Sequence, residues 1–168
     1  MADITNEYLL EKLQSGSADD ILNAEVSYGM LSIILKADRN MDMLNWLYQD
    51  EELKFRFLTT LCGLHFPDQK DNELGVAYHL HSFTNNQRLR IKCFFPIANP
   101  VIKTATSLFE SANWQERETY DYYGILFEGH PNLKRILNVD EMDYFPMRRE
   151  YPLEDGTRTD KEDKYFGR

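Results

Sequence analysis

Cysteine is scarce in this 168-residue chain: Cys62 and Cys93 are the only two, far apart in the sequence. Two thiols cannot form a disulfide framework, and they fall short of the four thiolates that usually hold an iron–sulfur cluster. Cation excess is missing as well, since 19 Lys and Arg face 28 Asp and Glu for a formal charge of -9. Nucleic-acid binding draws its affinity largely from phosphate neutralisation, so no DNA or RNA partner is expected. Apolar runs stay well below the roughly 18 residues of a membrane span, and Asp3, Glu7, Glu11 and Asp19 interrupt the region where a signal peptide would lie. A cytoplasmic chain with no transmembrane segment is therefore expected. Neither a dinucleotide fingerprint nor a Walker loop occurs, so the chain offers no Gly-rich phosphate cradle.

What is present suits one globular domain plus an appendage. Thr5 is an N-cap candidate for a helix near Asn6 to Gln14, with Ile4 and Leu9 as a hydrophobic staple and Gly16 as the stop. A loop is expected from Ser15 to Asn23, then one strand from Glu25 to Leu35 with a bulge or a close backbone approach at Gly29. Met41, Leu44, Leu47 and Tyr48 recur at helical spacing after a capping Asn40. Phe55 to Phe66 reads as a strand, and Leu74 to Thr84 with Arg88 to Phe95 as a hairpin turning at Asn85-Asn86. That turn sets Leu80 opposite Ile91 and Tyr78 opposite Cys93 on the core side, and His81 opposite Arg90 and His79 opposite Lys92 on the other. Pro100 suggests a further helix burying Val101, Ala105, Leu108 and Phe109.

The stretch Asn113 to Leu137, NWQERETYDYYGILFEGHPNLKRIL, is too irregular for ordinary core. Asn113 and Glu116 have capping-box spacing, Gly124 has the position of a left-handed C-terminal residue, and a helix from Trp114 to Tyr123 lies between them. Arg117 and Asp121 are four apart, which predicts an ion pair. Glu118, Asp121 and His130 are the residues from which a metal site would be assembled, but Glu116 and Glu118 diverge by about 200° on a helix, and paired charges are the commoner arrangement. His79-x-His81 has ligand spacing along a strand, with cationic neighbours that would repel a metal. After Leu137 about half the residues are charged, while Tyr144, Phe145, Tyr151, Tyr165 and Phe166 recur among them. Aromatic and Arg anchors of this kind suit an ordered interface, so residues 138–168 are expected to form an extended partner-binding arm and residues 1–137 the globular domain.

Glu116-Arg117-Glu118, Tyr120, Asp121, Gly124, Phe127, His130-Pro131, Leu133 and Lys134-Arg135-Ile136-Leu137 together closely resemble the signature of the C subunit, also known as the thirty-kilodalton subunit, of NADH:quinone oxidoreductase, respiratory complex I. Phe55 to Gly63 and Arg148 to Leu153 resemble the same family. The likeness covers roughly the last two thirds of the chain, departing at Tyr122 and Asn132. It implies an α+β fold with a mixed or antiparallel sheet of about four strands covered by helices. It also implies a non-redox subunit of the hydrophilic arm, peripheral on the cytoplasmic side of the bacterial cell membrane. The partner implied is the D subunit, beside which ubiquinone or menaquinone is reduced. No catalytic residue, cofactor or metal is implied on this chain; FMN, iron–sulfur clusters and NADH belong to other subunits. Glu116, Arg117, Glu118, Tyr120, Asp121, His130, Arg148, Arg149 and Tyr151 are the expected partner contacts. The other readings are the equivalent subunit of a membrane-bound hydrogenase and a stand-alone metal-dependent enzyme.

Overall fold

The computed structural model describes residues 4–151. Thr5 caps helix α1 (Asn6–Ser17) by accepting the Tyr8 N–H at 3.2 Å. The helix runs through Gly16, and a short 3-10 turn leads into strand β1 (Ile21–Ser27) where a loop was expected. Strand β2 (Met30–Leu35) follows after two residues, so the single strand expected from Glu25 to Leu35 is in fact a hairpin. Tyr28 and Gly29 both take positive φ, 52° and 77°, as a two-residue turn of this hand requires. Tyrosine is an unusual occupant, and nothing in the sequence around Gly29 separates this turn from a bulge.

Helix α2 (Asn40–Gln49) starts one residue before its expected first residue, and Asn40 does other work. Its fully buried side chain donates to the Lys103 carbonyl at 2.9 Å and to the Tyr78 hydroxyl at 3.3 Å. Strands β3 (Phe57–His65), β4 (Leu74–Ser82) and β5 (Gln87–Phe95) complete a five-stranded mixed sheet of order β1-β2-β5-β4-β3, in which only β2 and β5 run parallel. The hairpin register differs from expectation by two residues: Leu80 faces Leu89, Tyr78 faces Ile91, His79 faces Arg90 and His81 faces Arg88. The cause lies in the turn. Asn85 spends its amide on the carbonyls of Glu52 and Leu53, at 2.7 and 3.0 Å, and only Asn86 has positive φ, so the loop needs four residues. An even shift leaves each side chain on its expected face.

Leu9 and Leu13 of α1 and Met43, Leu44 and Leu47 of α2 pack with Leu31, Ile33, Leu61, Val76, Tyr78, Leu89 and Ile91 from one face of the sheet. Burying each such Leu or Ile contributes about 1.5–3 kcal/mol. The helix expected after Pro100 is absent from its place. Val101–Lys103 is instead a short strand, β6, parallel to β7 (Leu126–Glu128), because the β-branched run Val101-Ile102 outweighs the single Pro signal. Between them helix α3 (Ala112–Tyr123) lies along β3. Its approach is close: a Cβ on Gly63 would overlap the Tyr123 ring.

A candidate partner-anchoring site built on helix α3

Helix α3 ends at Gly124, which takes φ 74° and donates its N–H to the Tyr120 carbonyl at 2.8 Å. Its start departs from the expected capping box, since Ser111 precedes it without a side-chain cap. Glu116 turns inward, with no exposed surface. It accepts the Ala105 N–H at 2.7 Å and the Thr104 hydroxyl at 2.5 Å, tying the helix to the segment after β6. Burial pushes its carboxyl up to about 7 against the opposing pull of those two donors.

Asp121 is equally buried and solves the problem the opposite way. One oxygen accepts the N–H groups of Ile136, Leu137 and Asn138 at 3.1, 2.8 and 2.9 Å. The other accepts the Asn138 amide at 3.0 Å and Arg135 at 2.7 Å. Burial alone would raise this carboxyl, yet the ring of backbone donors outweighs it and holds the group well below the usual carboxylate range. The expected Arg117 pair is therefore not made. Arg117 lies over the Trp114 ring and donates to the carbonyls of Lys134 and Arg135.

The same Arg135 donates onward to the carbonyls of Met142 and Tyr144, at 2.7 and 3.1 Å. Phe145 then sits over Gly124, with the Arg135 and Arg148 guanidiniums on its ring at 5.2 and 4.7 Å. A Cβ at position 124 would meet that ring at 2.5 Å, so Gly124 is needed for contact as well as for φ. Tyr120 meets Phe145 edge-on, and Arg148 donates to the Tyr123 carbonyl at 2.8 Å. The Arg149 N–H donates to buried His65, and Tyr151 packs on Tyr144. Residues 138–151 thus fold back on the domain, and the expected boundary at 137 is crossed by several hydrogen bonds. The remainder of the expected arm, 152–168 with Tyr165 and Phe166, lies outside the described residues.

His130 accepts the Asn132 N–H on Nδ1 at 3.0 Å, which leaves Nε2 to donate to the Asn113 carbonyl at 3.1 Å. With His130 and Asp121 so occupied and Glu118 on the exposed side of the helix, the three are not assembled as metal ligands. Among the described residues, no group of three His, Cys, Asp or Glu is placed to hold a metal. His79 receives the Arg90 Nε–H at 2.8 Å, and burial followed by the Arg90 charge lowers its pKa. Cys93 is buried, its thiol pushed up to about 12 by that burial, while Cys62 lies exposed on the other face. Of the nine expected contact residues, Glu116 and Asp121 are fully buried and held by internal bonds, whereas Glu118, Arg149 and Tyr151 are exposed. Thr104, Asn138, His65 and the bonding role of Arg135 were missed, although the basic residue Arg135 inside the signature was a signal for an acidic mate; Phe145, expected as an anchor of the arm, packs on Gly124 and Tyr120 of the domain.

Residues 33–157 match the family model described as respiratory-chain NADH dehydrogenase, 30 Kd subunit. The chain is 38% identical to the C subunit of NADH-quinone oxidoreductase from Roseiflexus sp. (strain RS-1), over 89% of this chain and 86% of the relative. It is 40% identical to a C subunit, numbered 1, of NADH-quinone oxidoreductase from Rhizobium meliloti (strain 1021), over 91% and 75% respectively. Among solved structures, a trypsin-resistant fragment of Nqo5 superposes with a TM-score of 0.61 at 30% identity, over 74% of this chain and 98% of the fragment. A chain of a membrane-bound sulfane sulfur reductase, an archaeal respiratory membrane complex, reaches 0.73 at 18% identity, over 88% and 85%, and shares the fold alone. No helix among the described residues is long and apolar enough to cross a membrane. The chain belongs to the family of the 30 kDa subunit of the respiratory-chain NADH dehydrogenase, an oxidoreductase complex.

Proposed function

We propose that this chain is a non-redox positioning subunit of NADH:quinone oxidoreductase. It docks on the D subunit near the site of quinone reduction, in the hydrophilic arm on the cytoplasmic side of the membrane. It carries no catalytic residue or cofactor of its own, and NADH, FMN and the iron–sulfur clusters are handled by neighbouring chains. The observation that carries this reading is the Asp121 anchor. It fixes residues 136–151 against the domain and leaves Leu137, Val139, Tyr144, Met147 and Tyr151 exposed at 36–62%. Ordering a segment costs conformational entropy, and apolar side chains held outward on an ordered segment suit a permanent interface. Such an interface would bury more than roughly 2,000 Å². Arg149 and Tyr151 lie on its surface, and Glu118 and Tyr122 flank a cleft of about 250 Å³ between α3 and β3.

Two changes to the intact complex test this. Removing residues 152–168, or replacing Val139 by Asp together with Tyr144 and Tyr151 by Ala, is expected to release the chain from D on purification. Retention of D by both variants overturns the docking reading. One equivalent of iron or flavin in the isolated chain overturns the non-redox reading. The subunits that co-purify, NADH-oxidising or hydrogenase, separate this assembly from a related one.

A further inference from the structure

The sheet face turned away from α1 and α2 bears a feature that runs against the charge of the whole chain. Arg88, Arg90 and Lys92 occupy alternate outward positions of β5, an inner strand of the sheet. Alternate positions on a strand repeat every 6.6 Å or so. Among the described residues, Glu25 is the carboxylate that reaches this row, at 3.5 Å from Lys92. Arg90 turns its Nε to the His79 ring instead, whose lowered pKa keeps it a neutral acceptor. Beside the row, Phe83 is 69% exposed and Phe57 44%, with ring centroids 4.9 Å apart, and Phe83 also stacks on His81 at 4.6 Å. These three rings wall a cleft of about 240 Å³.

We propose that this face seats an extended, carboxylate-bearing segment of a partner subunit. A strand-like segment with Asp or Glu at every second residue matches the spacing of the cations, and its apolar side chains have Phe57 and Phe83 to rest on. Arg pairs with carboxylates in a planar fork, which gives such a contact orientation as well as attraction. The chain's net charge of -9 opposes an anionic bilayer at long range. Lys54 and Arg56, which also line the cleft, are already paired with Glu51, so the cations left to a ligand form a single row along β5. The site is separate from the arm, so either contact can fail while the other stands.

The test uses the purified intact complex and a water-soluble carbodiimide, which joins an amine to a carboxylate without a spacer. The expected product is a peptide linking Lys92 to an Asp or Glu of another subunit. Lys92 linked to Glu25 alone would overturn the proposal. In parallel, the combined variant R88E/R90E/K92E is expected to fold with an unchanged circular dichroism spectrum when isolated, and to be at least about tenfold under-represented in the complex, because like charges then face each other. Normal incorporation of that variant would overturn the proposal too. If the isolated wild-type chain sediments with vesicles of phosphatidylcholine and phosphatidylglycerol and the variant does not, the face binds lipid and the partner assignment falls.

Discussion

The sheet and the signature segment are neighbours held by different forces. The sheet closes over Leu, Ile and Val side chains whose contribution depends on area and packing. Helix α3 buries Ala112, Glu116, Thr119 and Asp121 and then binds residues 135–151 largely through hydrogen bonds. Damage to the first is expected to spread through one cooperative core, whereas damage to the second stays local. The segment that presents the exposed aromatics is therefore governed by a few polar atoms.

The comparison breaks hardest at Asp121. Replacing it by Ala leaves Arg135 buried beside unpaired N–H groups, a loss of about 3–5 kcal/mol by analogy with broken buried pairs. Hydrogen exchange is expected to rise across residues 135–151 while the amides of β4 and β5 stay protected. Uniform loss of protection would mean that the two regions are one cooperative unit. Glu116 gives the next effect. Its folded carboxyl titrates near 7, above its ordinary 4.5, so the stability it contributes is complete below about pH 4.5 and is lost as pH rises through 7. Glu116→Gln mimics the protonated form, and is expected to stabilise the chain by roughly 2–3 kcal/mol at pH 8 and change little at pH 4. Denaturant midpoints at the two pH values read this out, and an equal shift at both would assign the effect to packing. The smallest effect is at the junction of the two regions. Gly63→Ala drives a methyl into the Tyr123 ring, and about 1–3 kcal/mol is expected from such overpacking. A rescue by Tyr123→Leu would locate the clash; its failure would place the strain in β3.

Patterning made much of the sheet readable. Alternation in Leu74 to Phe95 placed two strands with the right faces inward, and the α2 stripe was plain in Met41, Leu44 and Leu47. The misreadings share a physical cause, which is that side chains far apart in sequence overruled local signals. Tyr28 adopts a conformation that its own chemistry disfavours, so β1 and β2 looked like one strand. Asn85 answered to carbonyls at Glu52 and Leu53 and not to its own turn. In the signature, helical spacing pointed Asp121 at Arg117, but the donors that hold it come from residues 135–138. Glu116 had capping-box spacing and spent its carboxylate on Thr104 and Ala105. The family likeness drew attention to the signature residues; only the fold showed that Glu116 and Asp121 face inward.

The order of strands has a consequence for how the chain finds this arrangement. β1 with β2 and β4 with β5 each close through a turn of a few residues, and β3 joins its partner after one modest loop. The parallel seam is different, because Leu31 must meet Leu89 across the whole intervening sequence. Loop closure grows costlier with length, so the largest single share of the entropy of registering the sheet falls on that one line. The N-terminal ribbon is in this sense a separate leaf, joined to the other three strands along the seam that costs most to form.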